Sequence, residues 1–369
     1  MHQEPSGVWI MAYTTIDNPI LYFSTNLWVA DDASSRALTG FGHQPDLVWT
    51  KHRGSGSTYH TLTDSVRGGD KNLSTPVNSA ESDGSHGIIS SFDSDGITVI
   101  DGTNATYPRL TFNELDPFGA SVGGNYVGWS WKAGGTASSN SDGSITSSVS
   151  ASTTAGFSIV SYTGNATSGA TIGHGLGVEP FMIIIKNRSS AKDWAVYHKN
   201  VGNNKKLLLN TTDAESSSSY FNSTSPTSTV FSVNNSDTTN DTNPQIAYCF
   251  AEKKGYSKFG SYTGNGNANG TSVYTGFRPT FVMCKRSSGT GNWQVFDSKR
   301  EGFNVDNDGL QANLANAEAT DDDIDILSTG FKLRGTGNDL NGSGSTYIYM
   351  AFAESPFVTA GTKAAGTAR

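Results

Sequence analysis

Short apolar runs of strand length recur along the chain in one fixed order, three times over. Each copy opens on a Pro, a run of strand-forming residues and a Lys: Pro45 to Lys51, Pro180 to Lys186 and Pro279 to Lys285. An aromatic follows 14 residues after each Pro, at Tyr59, Trp194 and Trp293. A Leu-to-Glu spacing of eight comes next, in Leu73–Glu81, Leu207–Glu215 and Leu310–Glu318. Each copy closes on a second apolar segment: Tyr126–Trp131, Gln245–Phe250 and Tyr347–Phe352. Several anchors kept in the same order three times indicate one small unit used repeatedly, an arrangement suited to display or binding more than to one deep active site.

The pattern predicts strands throughout. Met182-Ile183-Ile184-Ile185 is unbroken and apolar, as in a strand buried on both faces, and Leu47-Val48-Trp49 and Phe281-Val282-Met283-Cys284 match it. Gly- and Asn-bearing turns such as Tyr162-Thr163-Gly164-Asn165 and Tyr262-Thr263-Gly264-Asn265 punctuate the runs. Helical periodicity is nearly absent; Asn313–Ala319 has material for one or two turns. The expected fold is all-β: three tandem antiparallel β-sandwich modules behind a short N-terminal lead-in.

The expected division is a lead-in with attachment strands over 1–40, in which Leu27-Trp28-Val29 is a candidate start for the first copy's outermost strand, copies over 41–132, 156–254 and 255–355, a Ser/Gly/Thr linker over 133–155, and a small-residue tail over 356–369. Ile145 and Val149 interrupt the linker's polarity, so part of it is expected to lie along a neighbouring surface. From the repeated Glu to the closing aromatic there are 50 residues in the first copy but 35 and 34 in the others. The excess falls in or near 102–123. Loops inserted on a rigid scaffold are where individual function resides. Tyr107, Arg109, Asp116 and Phe118 in this insertion are the candidate glycan-binding residues: an aromatic face can stack on a sugar ring, while Arg and Asp hydrogen-bond its hydroxyls or acidic groups.

Composition narrows the function. Hydrophobic residues are 35% and charged residues 16%, with Gly, Ser, Thr and Asn filling the gap, a profile of extracellular or virion β-proteins. The net charge of −8 disfavours nucleic acid and anionic membrane, and no apolar stretch is long enough to span a bilayer. Met1-His2-Gln3-Glu4-Pro5 lacks the basic and apolar regions of a signal peptide, so the expectation is either release by a route other than secretion, such as the lysis that frees virion proteins, or retention in the cytosol. Cys249 and Cys284 are read as buried apolar side chains, not a disulfide.

No HExxH, GxSxG, CxxC or Walker pattern appears. Gly173-His174-Gly175-Leu176-Gly177 precedes a strand, where a phosphate loop needs a helix. Asn304–Gly309 opens like a calcium loop, but Ala315 stands where the bidentate Glu belongs, and Asp321-Asp322-Asp323-Ile324-Asp325 reads as a solvated acidic loop. Neither catalysis, a metal nor a cofactor is expected. The repeated lysines read as caps over the last apolar residue of each strand, with a Lys–Glu pair inside each copy as an added option.

Several strings together resemble a repeat family of uncharacterised, tail-fibre-like structural domains in tailed phages of marine and other aquatic bacteria. They are Gly40-Phe41 to Trp49, Trp129-Ser130-Trp131-Lys132-Ala133-Gly134-Gly135, Asp142-Gly143-Ser144-Ile145, Gly156-Phe157 to Asn165, and Ala351-Phe352-Ala353-Glu354-Ser355-Pro356-Phe357. The resemblance covers about 20–369 and implies no catalytic residues. It implies a virion structural protein, made in the host cytoplasm and released by lysis, acting as a fibre or spike component that contacts host-surface polysaccharide. Other virion proteins and further copies of itself, as a homotrimer, are the expected partners. A capsid decoration or head-fibre protein is the alternative within structure, and a polysaccharide-degrading tail enzyme the alternative outside it. Tail-fibre members are often longer, with an upstream attachment region, whereas about 40 residues precede the first copy here.

Overall fold

A computed structural model describes residues 2–3, 9–10, 14–54, 58–119, 123–300, 304 and 306–356. The first third of the chain forms β1 (His2–Gln3), β2 (Trp9–Ile10), β3 (Phe23–Val29), β4 (Ser35–Thr39), β5 (Leu47–His52), β6 (Thr61–Asp64), β7 (Gly68–Ser74), β8 (Ile88–Asp93), β9 (Gly96–Ile100) and β10 (Asn125–Trp131). The middle third forms β11 (Ser138–Asn140), β12 (Ser147–Ser152), β13 (Phe157–Thr163), β14 (Ala170–Gly173), β15 (Met182–Asn187), β16 (Ala195–His198), β17 (Lys205–Leu208), β18 (Ser216–Ser217), β19 (Val230–Val233) and β20 (Pro244–Phe250). The last third forms β21 (Ser257–Thr263), β22 (Ser272–Tyr274), β23 (Phe277–Arg286), β24 (Trp293–Asp297), β25 (Asp306–Gln311), β26 (Ala319–Leu327), β27 (Gly330–Leu333) and β28 (Thr346–Pro356). The fold is all-β with antiparallel pairing, and among the described residues the helical content is two short 3-10 turns, at Pro19–Leu21 and Pro117–Gly119. Residues 313–319 form no helix, and among the described residues no helix is long and apolar enough to cross a membrane.

One strand order appears three times. β3-β10-β5-β6-β7, β13-β20-β15-β16-β17 and β21-β28-β23-β24-β25 are hydrogen-bonded in that sequence. The strand after each repeated Pro is therefore interior, between the closing strand of its copy and the next hairpin strand. Side chains alternate across it. On one face, Trp49, Trp129 and Trp131 join Ile184, Tyr248 and Phe250 and also Met283, Met350 and Phe352 in a single hydrophobic cluster. The equivalent aromatics Trp131, Phe250 and Phe352 meet pairwise, with ring centroids 5.7–6.2 Å apart. The other face of each sheet has its own smaller core. Val48 packs with Leu38, Ile97 and Phe112; Ile183 and Ile185 with Ile172, Phe221 and Phe231; Val282 and Cys284 with Ile324, Ile326 and Phe331. Covered on both sides, the central strands carry the continuous apolar runs seen in the sequence.

The three copies close on one another head to tail. The backbone N–H of Glu81 donates to the Arg188 carbonyl, Glu215 to Ser287 and Glu318 to Arg53, each at 2.8 Å. Each acceptor lies two residues beyond the repeated Lys. Side chains reinforce two of these joints. Glu81 takes Arg188 and Arg67, and Glu318 takes Arg53 and Arg300. Behind them, Arg67 pairs with Asp64 and Arg300 with Asp297, all four side chains fully buried. The Tyr248 hydroxyl of the second copy donates to Asp64 Oδ2 at 2.8 Å, and Trp129 Nε1 of the first copy donates to Asp297 Oδ2 at 3.0 Å. At the third joint the corresponding residues are His198 and Val201, and Glu215 pairs with Lys205 instead.

The repeated lysines go deeper than strand caps. Lys51, Lys186 and Lys285 are almost wholly buried, and each ammonium donates to the carbonyl of the following residue: His52 at 2.6 Å, Asn187 at 2.6 Å and Arg286 at 2.8 Å. Thr58 Oγ1, the Ser190 carbonyl and the Thr212 carbonyl accept further hydrogen bonds. Burial lowers Lys51 to about 7 and Lys186 and Lys285 to about 8. In place of a Lys–Glu pair inside each copy, Glu81 and Glu318 reach across to the next copy.

Two segments differ from the expected division. β3 and β4 fall within 1–40 but are built into the first copy: β3, which holds Leu27-Trp28-Val29, is the edge strand paired with β10 along its length and puts Phe23 into the shared core, and β4 pairs with β9. The stretch 133–155, expected as a linker, contains β11 and β12, which extend the middle sheet beyond β13. Ile145 and Val149 are buried in that sheet's outer core, and Ser147 Oγ donates to the Gly173 carbonyl. Serine density hid the alternation. Cys249 and Cys284 are free and buried, as expected. The tail beyond Pro356 lies outside the described residues.

Candidate functional site in the first copy

The insertion in the first copy is tied to its own sheet. Phe112 is buried in the outer core and its carbonyl accepts Trp28 Nε1 at 2.7 Å. The Tyr126 hydroxyl donates to the Leu110 carbonyl and accepts the Glu114 N–H. Asn113 bonds Asp31 and the Ala33 carbonyl, and accepts from Arg36. Contact with its own copy thus accounts for the insertion's anchoring.

The four candidates are not one constellation. Tyr107 and Phe118 are brought together, with ring centroids 4.7 Å apart. Phe118 has φ 62°, the left-handed region that bulky side chains rarely adopt. The residue is 44% exposed. Arg109 is engaged by Asp101, at 2.7 Å and 2.9 Å. Asp116 is exposed and lies outside the pocket that Phe118 lines.

That pocket, of about 300 Å³, lies between the insertion and the outer face of β6 and β7. Thr61, Asn72 and Ser74 come from the strands, Tyr59 and Phe118 add aromatic surface, and His86 adds an imidazole. Among the described residues that line it, no side chain carries a formal charge at pH 7; burial keeps His86 below its usual value. Asn72 is fixed by Thr63 Oγ1 and by its own donation to the Gly87 carbonyl.

Tyr59 reaches the pocket because the first hairpin is one residue longer than the others. Leu62 pairs with Trp49, whereas Val196 pairs with Ile184 and Val295 with Met283. The structural counterpart of Trp194 and Trp293 is accordingly His60, not Tyr59. The His60 carbonyl accepts the Thr75 N–H as those of Trp194 and Trp293 accept Leu209 and Ala312. His60 lies in the shared core, stacked on Trp129, and Trp49 Nε1 donates to its Nδ1 at 3.0 Å. The extra residue reverses side-chain parity, so Tyr59 faces outward and is 49% exposed. Equal spacing from Pro could not reveal that slip.

In the other copies this outer face is covered. Thr63 corresponds to Tyr197, which packs on Phe221 at 5.4 Å, and to Phe296, buried against Ile324 and Ile326. Asn72 corresponds to Lys206, whose ammonium sits 4.2 Å from the Tyr220 ring. Small polar residues in the first copy leave space where the others place rings.

Among the described residues no group of three or more His, Cys, Asp or Glu side chains could hold a metal ion. Asp321 to Asp325 fall within strand β26, not in a loop.

A family model described as a domain of unknown function (DUF7483) matches residues 18–356. The chain belongs to this DUF7483 family. Neither a curated protein nor a solved structure matches it. The DUF7483 match starts before β3 and runs through all three copies, in keeping with their shared core. It assigns no activity.

Proposed function

We propose that this chain is a bacteriophage virion structural protein of tail-fibre or spike type, without enzymatic activity, whose first copy contacts a polysaccharide on the host surface. In this reading each copy is a β-sandwich-type module, with an inner sheet toward the shared core and an outer layer free to vary. The observation that carries the proposal is the contrast between a repeated inner core and a pocket with exposed aromatics at the copy with the inserted loop. The sequence strings that resemble tailed-phage structural domains supply the virion setting, with assembly in the host cytoplasm and release by lysis. A homotrimer with other virion proteins as neighbours belongs to the same reading.

Immunogold electron microscopy of intact particles, with antibody against the purified chain, tests the virion role. Labelling at the tail, together with blocked adsorption to host cells, is expected. Labelling over the capsid would replace the fibre reading with a decoration protein, and unlabelled particles would refute a virion role. Light scattering of the purified chain tests the trimer.

A further inference from the structure

We infer that the pocket between the insertion and β6–β7 binds one ring of an uncharged saccharide. This deepens the proposed host-polysaccharide contact and rests on it.

Three observations select the ligand class. First, Tyr59 and Phe118 both line the pocket and are 49% and 44% exposed, so two aromatic side chains face the same cavity. Two accessible aromatic surfaces beside a polar floor suit a ligand with an apolar C–H face and a hydroxylated rim. Second, the floor offers hydroxyls and an amide from Thr61, Ser74 and Asn72, groups that donate and accept. Sugar hydroxyls need that dual capacity. Third, the described lining carries no formal charge, so a uronate or sulfate would lose water without gaining a cation. Arg109, the one cation among the insertion's candidates, is engaged by Asp101, and the chain's net charge of −8 further opposes an anionic polymer. The volume, about 300 Å³, lies at the small end of ligand pockets and suits a single ring.

Affinity electrophoresis of the full chain through polyacrylamide containing dextran, galactomannan or arabinoxylan, beside gels containing alginate, tests the inference. Retardation is expected in at least one neutral gel, insensitive to added salt, with none in alginate. Tyr59→Ala and Phe118→Ala are expected to weaken it by about tenfold each. Tyr274→Ala, at a 65% exposed aromatic in the third copy, controls for general loss of surface aromatics and is expected to leave it unchanged. Circular dichroism establishes that each variant is folded. Retardation confined to alginate, retardation unaffected by Tyr59→Ala and Phe118→Ala, or none in any neutral gel each overturns the inference. These outcomes are independent of particle labelling, so a failed pocket is distinguishable from a failed virion assignment.

Discussion

The inner and outer faces of the three sheets follow different rules. On the inner face, Leu73, Leu207 and Leu310 are all buried, and Trp131, Phe250 and Phe352 meet at the centre. A residue there touches other copies, so a change in one must fit partners in the rest. On the outer face, Thr63, Tyr197 and Phe296 occupy one equivalent position with no common chemistry. Each outer face answers only to its own layer, which leaves it free to acquire a pocket. Repetition builds the scaffold, and departure from repetition marks where function is to be sought.

Truncation at the centre is the most severe test of this contrast. Trp131→Ala should cost about 3–5 kcal/mol in urea denaturation. A cost near that of a surface change would mean that the inner face is not one packed core.

The joints between copies offer a sharper test. Arg67→Ala leaves Asp64 buried without its cation and should cost about 3–5 kcal/mol. Replacing both residues by those of the second copy, Asp64→His with Arg67→Val, should stay within about 2 kcal/mol of the parent, since a buried ion pair contributes little over a well-packed neutral pair. Equal losses in the single and double variants would show that the joints are not interchangeable.

A third test uses pH. Burial holds His43, His52 and His198 near 4 and His60 well below its usual value, so the folded chain keeps them neutral. The unfolded chain binds protons to these groups below about 6.5. Folded values below unfolded ones mean that this stability is complete above about pH 6.5 and is lost as pH falls toward 4. The lowered Lys51, Lys186 and Lys285 act with the same sign over a higher window, from about 10.5 down to their folded values of about 7 and 8. Thermal melting should therefore rise from pH 4 to 6.5 and again above pH 8. A fall in melting temperature across either window would contradict this account of the buried groups.

The smallest effect is expected outside. Tyr59→Ala and Phe118→Ala should each shift stability by less than about 0.5 kcal/mol in the same denaturation assay. A loss above about 2 kcal/mol would make these rings structural instead of available to a ligand.

Much of the inner face was legible in the sequence. Unbroken apolar runs marked the interior strands, and the Leu-to-Glu spacing marked residues that proved equivalent. What covers those runs was not legible, because alternation identifies an apolar face and not its partner. Three separate sandwiches and three sheets around one core produce the same pattern. Lys51 carries no sequence sign that its ammonium would be buried and satisfied by His52 O and Thr58 Oγ1. At the site, the insertion and Phe118 were found from length and composition. The pairing of Arg109 with Asp101 was not legible, because Asp101 lies before the insertion's candidates. Tyr59 was grouped with Trp194 and Trp293 by its spacing from Pro, since a one-residue slip appears only once strand pairing is known.

Differential scanning calorimetry of the intact chain tests the shared core most directly. One core predicts a single transition whose calorimetric and van't Hoff enthalpies agree, and which Trp131→Ala moves as a whole to lower temperature. Two or three resolved transitions, with Trp131→Ala moving only the one that belongs to its own copy, would contradict it.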